Sequence, residues 1–414
     1  MKLGLEAIRE LLARLGNPQG HVARVLIGGT NGKGSTAATL SAILHASGIR
    51  AGLHTSPHLE EVTERIRVGE KDSRHDRLEA VLSRVFQAAD APPAIPVTYF
   101  EAVTAAAELL FREEDCRLAV VEVGLGGRLD ATNASEPLIS IVTSIGLDHE
   151  ADLGSSVVEI AREKAGIFRP GRLALCGGRD GKALSVLAEE ARKKGAAFAD
   201  SNRSVKVSDR RELEAGQSFR LETPAGRYEL FTPLRGEHQA DNVALAVLAA
   251  EALVRHFPSI SPGSIRSGAA AVRWPARLEK IRCAGKEVWL DGCHNPDGAR
   301  ALARFFRSRD GELDLLFAVM ADKDFVGIAR ELFPLARRVV VTTPPVSRAA
   351  PALELAERLS FLHRDVTAIP DVDRAFARIL AESAGSVLVA GSLYLVGDVR
   401  ARLSSPAIRE SAAR

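Results

Sequence analysis

VLIGGTNGKGST, residues 25–36, decides how the rest of the chain is read. Val25, Leu26 and Ile27 form the short apolar run of a buried parallel strand, and after Ser35 the residues Ala37, Leu40, Ile43 and Leu44 recur at helical spacing. The sequence therefore predicts a strand, a glycine-rich turn, and a helix whose N-terminus meets the turn, an arrangement suited to phosphate. Backbone N–H groups freed by Gly29, Gly32 and Gly34 can point inward at phosphate oxygens, Lys33 adds a mobile positive charge, and Ser35 or Thr36 can reach a magnesium ion. Gly29, Thr30, Asn31, Gly32, Lys33, Gly34, Ser35 and Thr36 are thus the candidate nucleotide cradle. The spacing departs from the common GxxxxGK[ST] loop, being shorter and placing Gly34 between the lysine and the hydroxyl. The competing interpretation is an ordinary glycine-rich strand-to-helix turn.

The chain has 414 residues, enough for two domains at roughly 150 residues each. Hydrophobic residues make up 46% and charged residues 26%, the balance of a soluble globular protein. Fifty-five Lys and Arg against 53 Asp and Glu leave no global field to gather nucleic acid or an anionic membrane, so any anion must be bound locally. MKLGLEAIRELLARLG is an amphipathic helix pattern without the features of a signal peptide, and no apolar run approaches about 18 residues. A cytoplasmic protein is expected. Cys116, Cys176, Cys283 and Cys293 are scattered without CxxC pairing, which points to neither zinc nor a disulfide framework.

After the helix that follows the phosphate loop, Gly48 reads as its C-cap and AGLHT (51–55) as the next strand, opening into the polar loop SPHLEEVTERIRVGEK. Ser56 stands where that loop begins, either as a functional hydroxyl or as one more polar loop residue. TYFEAVTAAAELLF (98–111) has helical spacing, with Phe100, Val103 and Leu110 read as core. In RLAVVEVGLGGRLDATN a buried strand, Leu118 to Val121, delivers Glu122 to its C-terminal end, the edge where open α/β sheets bind ligands. An acid beside a phosphate loop is a usual second support for magnesium; the alternative is a capping or surface glutamate. LISIVTSIGLDH (138–149) repeats the design and brings Asp148 and His149 to the same edge. Lys164, in EIAREKAGIFRPG, lies four residues after Ile160, and spacing alone favours a solvated lysine.

Residues 206–233 alternate short strand-like runs with turns, a small β excursion. A helix then follows GEHQADN with Leu245, Leu248 and Ala252 on one face, and the pattern restarts around WPARLEKIRCAGKEVWLDG. The domain boundary is placed near residue 280, giving domains of residues 1–280 and 281–414. EVWLDG, LDLLFAVM, RRVVVTT and SVLVAGS are buried strands separated by helices such as DGARALARFF. The fold class is α/β: a P-loop ATPase domain with a mostly parallel sheet, then a smaller C-terminal Rossmann-like α/β domain. At the end of EVWLDG stands the polar cluster DGCHNPDG, in which Asn295 before Pro296 is a plausible helix N-cap.

GTNGKGS, SPHL followed by ERIRV, TYFEAVT, EVGLGGRLDATN, SIGLDH, AREKAGI, GEHQADN, WPARLE, LDGCHNPDG, ADKDF and GSLYLVGDVR occur in the order seen in folylpolyglutamate synthases and dihydrofolate synthases. From about Leu5 to Arg400 the chain resembles these enzymes, which belong to the wider Mur ligase group. Cys293 stands where that family usually has alanine, and many members carry an extra segment ahead of the point matching KLGLE. The resemblance implies that Lys33 and Ser35 hold the β and γ phosphates of ATP, and that Glu122 and His149, with Ser56, position magnesium. It matches Lys164 to a lysine that is often carbamylated and then ligates a second magnesium, which overrules the solvated reading. Asn242 and Arg277 match nucleotide contacts, and Asp291 and His294 match residues that the second domain brings to close the site. Lys33, Lys164, His149 and His294 are then the catalytic set.

The implied chemistry is ligation. A carboxylate is a poor electrophile, so the γ-phosphoryl group of ATP is first moved onto it and the amine of L-glutamate then attacks the acyl phosphate, with one or two magnesium ions neutralising charge. The acceptor is a folate, dihydropteroate or both, and a monomeric enzyme with no nucleic-acid or membrane partner is expected. Three other readings compete: a Mur-type ligase acting on a cell-wall precursor, a P-loop nucleotide switch, and a folate-binding protein without catalysis. The first would not be expected to combine SPHL with EVGLGGRLDATN, and the second has no use for a second α/β domain bearing DGCHNP.

Overall fold

Three sheets, the two larger with separate hydrophobic cores, organise the chain, seen in a computed structural model that describes residues 4–404. The first sheet contains β1 (Ala23–Gly28), β2 (Ala51–His54), β3 (Ile66–Val68), β4 (Lys71–Asp72), β5 (Leu118–Glu122), β6 (Ile139–Val142), β7 (Leu173–Cys176) and β8 (Ala197–Asp200) in the order β4-β3-β2-β5-β1-β6-β7-β8. Its centre is parallel, with β1 between β5 and β6, while β3 and β4 add an antiparallel edge. Val25 and Ile27 enter one core and Leu26 the other, as the two-residue period of a strand requires. Both faces are covered, which is why β1 reads as an unbroken apolar run rather than an alternating one.

The helix after β1 spans Lys33–Ala46, starting inside the glycine loop rather than after Ser35. Gly48 follows it at φ +72°, where its N–H donates to the His45 carbonyl at 2.9 Å. The helix Tyr99–Glu113 is opened by a reciprocal cap between Thr98 and Glu101, and it buries Val103 and Leu110 while Phe100 stays half-buried. The expected β excursion is a three-stranded antiparallel sheet of β9 (Lys206–Leu213), β10 (Gly216–Thr223) and β11 (Gly226–Thr232). Phe219 and Leu221 of β10 share a core with Val25 and Ile27 and with the helix Glu237–Leu253. That helix is therefore buried on more than the one face its leucines mark, and it begins inside GEHQADN rather than after it.

The second unit holds β12 (Glu279–Cys283), β13 (Lys286–Asp291), β14 (Leu313–Phe317), β15 (Arg338–Val341), β16 (Val366–Ala368) and β17 (Ser386–Ala390), in the order β12-β13-β17-β14-β15-β16. All neighbours are parallel except the β12–β13 pair. Chain contacts divide after Arg273, and the short segment Leu234–Glu237 also belongs to the second unit. The division falls a few residues ahead of the boundary expected near residue 280. Among the described residues no helix is long and apolar enough to cross a membrane.

Candidate active site

Parallel strands deliver their C-terminal ends to one edge of the first sheet, and the loop after β1 lies there between β5 and β6. Gly29 has φ +139°, and a Cβ on it would stand 2.0 Å from Thr143 Oγ1; Gly32 has φ +88°, and its Cβ would stand 2.3 Å from Asn242 Oδ1. Only glycine allows the loop to pass this close to its supports. Those supports are exact in kind: Thr30 N–H donates to the Ser144 carbonyl at 2.7 Å, Asn31 N–H to Ser144 Oγ at 3.1 Å, and Thr143 Oγ1 to the Asn31 carbonyl at 2.7 Å. Gly32 provides no side-chain cap to the helix, whose first-turn N–H groups lack intrahelical acceptors by geometry. Gly34, Ser35 and Thr36 are buried in that first turn, and Thr36 Oγ1 lies 3.5 Å from the Asn242 carbonyl. Asn242 thus lies directly against the cradle, held by its Nδ2 donating to Gln239 Oε1 at 3.0 Å.

Two amines meet on the loop. Lys33 Nζ donates to the carbonyls of Gly29 and Thr30, each at 3.1 Å, and Lys164 Nζ donates to the same Gly29 carbonyl at 2.9 Å. Lys164 is 5% exposed, so the solvated reading from spacing is overturned. Burial, and then the charge of Lys33, lower its pKa to about 7, against the pull of Asp148, Asp130 and Glu163. Spacing failed here because the helix Val157–Lys164 ends at this residue, where the loop rather than the helix face decides exposure.

That loop is gripped carbonyl by carbonyl. Lys194 Nζ donates to Ala165 O at 2.8 Å, Arg169 Nη1 to Gly166 O and Phe168 O at 3.3 Å, and Ser140 Oγ to Ile167 O at 2.7 Å. Arg169 Nη2 also donates to Asn133 Oδ1 at 2.8 Å, and Asn133 Nδ2 to Arg128 O at 3.0 Å. Asp130 is buried and accepts from Leu125 N–H at 2.8 Å and from the Thr132 N–H and hydroxyl at 3.0 and 2.6 Å. Burial raises its pKa, and these three donors oppose the rise. EVGLGGRLDATN is therefore a frame for Lys164, and the roles of Asp130, Asn133, Arg169 and Lys194 were not assigned from sequence. A signal existed for Asp130: an Asp two residues before Thr is a turn-forming pattern.

Glu122, 5% exposed at the end of β5, accepts from the Ser56 N–H at 3.3 Å, so these two expected partners are brought together. His149 has φ +53°, a left-handed backbone that a histidine adopts at some cost. Its N–H donates to Asp148 Oδ1 at 2.9 Å, and its Nε2 lies 3.9 Å from the same oxygen. Among the described residues no group of three or more His, Cys, Asp and Glu side chains is placed to hold a metal.

The polar cluster after β13 belongs to the second unit. Asp291 is buried, with Oδ2 accepting from Leu278 N–H and Oδ1 from Cys293 N–H, both at 2.9 Å. Burial raises its pKa, opposed by the Arg277 charge and these backbone donors. His294 Nδ1 donates to the Gly292 carbonyl at 2.9 Å. Asn295 caps the helix Pro296–Arg307, accepting from Gly298 N–H at 2.8 Å, with Pro296 at the first helical position. Part of DGCHNP is thus a helix start, and Asp291 is tied to backbone on both oxygens.

A family model of the Mur ligase middle domain matches residues 27–250, and one of the Mur ligase glutamate ligase domain matches residues 276–393. The dihydrofolate synthase/folylpolyglutamate synthase of Bacillus subtilis is 34% identical over 411 residues, covering 97% of this chain and 95% of that protein. The chain belongs to the folylpolyglutamate synthase/dihydrofolate synthase family of Mur ligases. Solved synthases of this family share its architecture. The Mycobacterium tuberculosis folylpolyglutamate synthase complexed with ADP and AMPPCP superposes with a TM-score of 0.90 at 31% identity, over 97% of this chain and 96% of that one. Escherichia coli FolC in complex with DHPP and ADP gives 0.87 at 31% identity, over 97% and 94%.

Proposed function

We propose that the protein is an ATP-dependent ligase joining L-glutamate to the carboxylate of a folate, of dihydropteroate, or of both, with release of ADP and phosphate. The observation that carries this reading is the meeting of Lys33 and Lys164 on the Gly29 carbonyl at the N-terminus of the helix Lys33–Ala46. Relatives named for both activities and synthase structures in complex with ADP support it.

In the first step a carboxylate oxygen of the acceptor attacks the γ-phosphorus, the bond to the β–γ bridging oxygen breaks, and ADP leaves. First-turn N–H groups hold the phosphates, and the flexible stem of Lys33 lets its ammonium exchange two loop carbonyls for phosphate oxygens. In the second step the glutamate amine attacks the acyl carbon, phosphate leaves, and the amine proton is lost as the amide forms. Water must be kept from the acyl phosphate throughout, or ATP is hydrolysed without ligation.

Magnesium is an expected companion, and the donor set fits it: the ion takes few protein oxygens beside phosphate and water, and Glu122 is a buried carboxylate next to Ser56. Ser35, Ser56, Glu122 and His149 would hold it, and when bound it neutralises phosphate charge. Lys164, with a pKa near 7, supplies the neutral amine that carbon dioxide adds to, which would place a carboxylate beside the cradle. Arg277, Asp291 and His294 are proposed to act on the nucleotide from the second unit, and a cytoplasmic monomer belongs to the same proposal.

The test is turnover of purified protein with ATP, magnesium and labelled glutamate, offered dihydropteroate and tetrahydrofolate in separate reactions. ADP should appear in step with amide and only when acceptor and glutamate are both present. ADP formed without either substrate, or binding without turnover, rejects the ligase.

A further inference from the structure

Arg277 sits between two strained residues. Ala276 has φ +58° and Leu278 φ +50°, left-handed backbone at positions that carry side chains. Such conformations persist only where the surroundings impose them. Here Glu279 Oε2 accepts from the Ala276 N–H and Asp291 Oδ2 from the Leu278 N–H, both at 2.9 Å. The Ala276 carbonyl in turn accepts from Gly292 N–H at 2.9 Å and from Arg277 Nη1 at 2.8 Å. Gly292 is needed for the fit, since a Cβ there would stand 2.6 Å from Arg277 Nη1 and 2.2 Å from Leu393 Cδ2.

Glu279 is itself anchored from a distant part of the chain. Arg400 Nε, on the helix Leu393–Leu403, lies 3.1 Å from its Oε1 and 3.0 Å from its Oε2. That helix does not need the pair in order to dock, because Leu395, Val396 and Val399 are already buried, and β12 is already paired along β13. A half-exposed ion pair also contributes little stability. What the pair does supply is a fixed acceptor for the N–H of a residue that would otherwise relax to negative φ and turn Arg277 away.

We infer that Glu279 and Arg400 are positioning residues for Arg277, holding the left-handed turn that carries it. The inference rests on the proposed role of Arg277 as a nucleotide contact. Without the acceptor the turn relaxes, and the ATP requirement rises while glutamate use does not.

Steady-state kinetics of the intact enzyme test it. Glu279→Ala and Arg400→Ala should raise the KM for ATP by about tenfold or more while the KM for glutamate stays near wild type. Glu279→Gln, which keeps an acceptor for the Ala276 N–H, should lie between them and wild type. Adding Ala276→Gly to Glu279→Ala should recover much of the ATP affinity, since glycine holds φ +58° without strain. Arg277→Ala, measured in parallel, separates the two ideas. If it leaves the ATP requirement unchanged, the nucleotide contact is wrong and the inference falls with it. If it is defective beside a Glu279→Ala enzyme with wild-type ATP use, the inference alone is overturned. A Glu279→Ala defect confined to kcat or melting, and unrelieved by Ala276→Gly, also overturns it, as does a Glu279→Gln enzyme as impaired as Glu279→Ala should the latter fold poorly.

Discussion

Lys33 and Lys164 share the Gly29 carbonyl, an arrangement that two charged ammonium groups tolerate poorly, and burial together with the Lys33 charge lowers the Lys164 pKa to about 7. If Lys33 neutralises charge on the transferring phosphoryl group, Lys33→Ala should cost about 3 kcal/mol or more of transition-state stabilisation, at least about a hundredfold in turnover, with the melting temperature little changed. Near-wild-type turnover would remove the loop from the reaction. Lys164 makes a separate pH prediction. Its folded pKa of about 7 lies below the ordinary 10.5, so across that interval the unfolded chain holds a proton that the folded chain does not, and stability rises with pH. The penalty is complete below the folded value and is relieved as pH climbs toward the unfolded one. In nucleotide-free, bicarbonate-free buffer the wild type should gain more melting temperature from about pH 7 to about pH 9 than Lys164→Met. Parallel curves would mean that Lys164 is charged in the fold. Of this pair Lys33 was legible from its glycine neighbours, whereas the burial of Lys164 was not, because the groups around it come from residues 29, 33, 127 and 130, far away in the chain.

The helix Val157–Lys164 and the turn Ala165–Ile167 form the element on which Lys164 depends. Gly166 is where this turn crosses the GLGGRLD loop: a Cβ there would stand 2.4 Å from Arg128 Cα and 2.6 Å from Arg128 N, backbone atoms that cannot rotate away. Gly166→Ala should therefore destabilise the protein by about 1–3 kcal/mol. It should also lower the activity of the folded fraction, because the strain is released next to Lys164. A denaturation midpoint and rate equal to wild type would show that the crossing yields without consequence. β1, β5, β6, β13, β14, β15 and β17 are buried on both faces and announce themselves as apolar runs. β12 and β16 are short, half-exposed edge strands whose pairing comes from their neighbours, so their residues carry no comparable pattern. The grip on the Lys164 turn was equally hidden, since side chains that bond to backbone carbonyls leave no periodic trace.

Each unit carries a strand-edge cluster on its own sheet, and the proposed function assigns residues from both. The second cluster separates into residues with different expected responses. Asp291→Ala strips the acceptor from two backbone N–H groups and should cost about 1–3 kcal/mol of stability along with activity. His294→Ala should melt close to wild type and still lose most ligase activity. Full activity in folded His294→Ala would confine the chemistry to the first unit. The central claim is that an acceptor carboxylate is activated as an acyl phosphate, and isotope transfer tests it most directly. With the acceptor carboxylate labelled with heavy oxygen, attack on the γ-phosphorus places one labelled oxygen in the bridge, and amine attack at carbon releases it with the phosphate. Mass analysis of the phosphate from single turnovers should then find one labelled oxygen for each amide formed. Unlabelled phosphate accompanying amide formation would contradict the acyl phosphate and the reading of the site built on it.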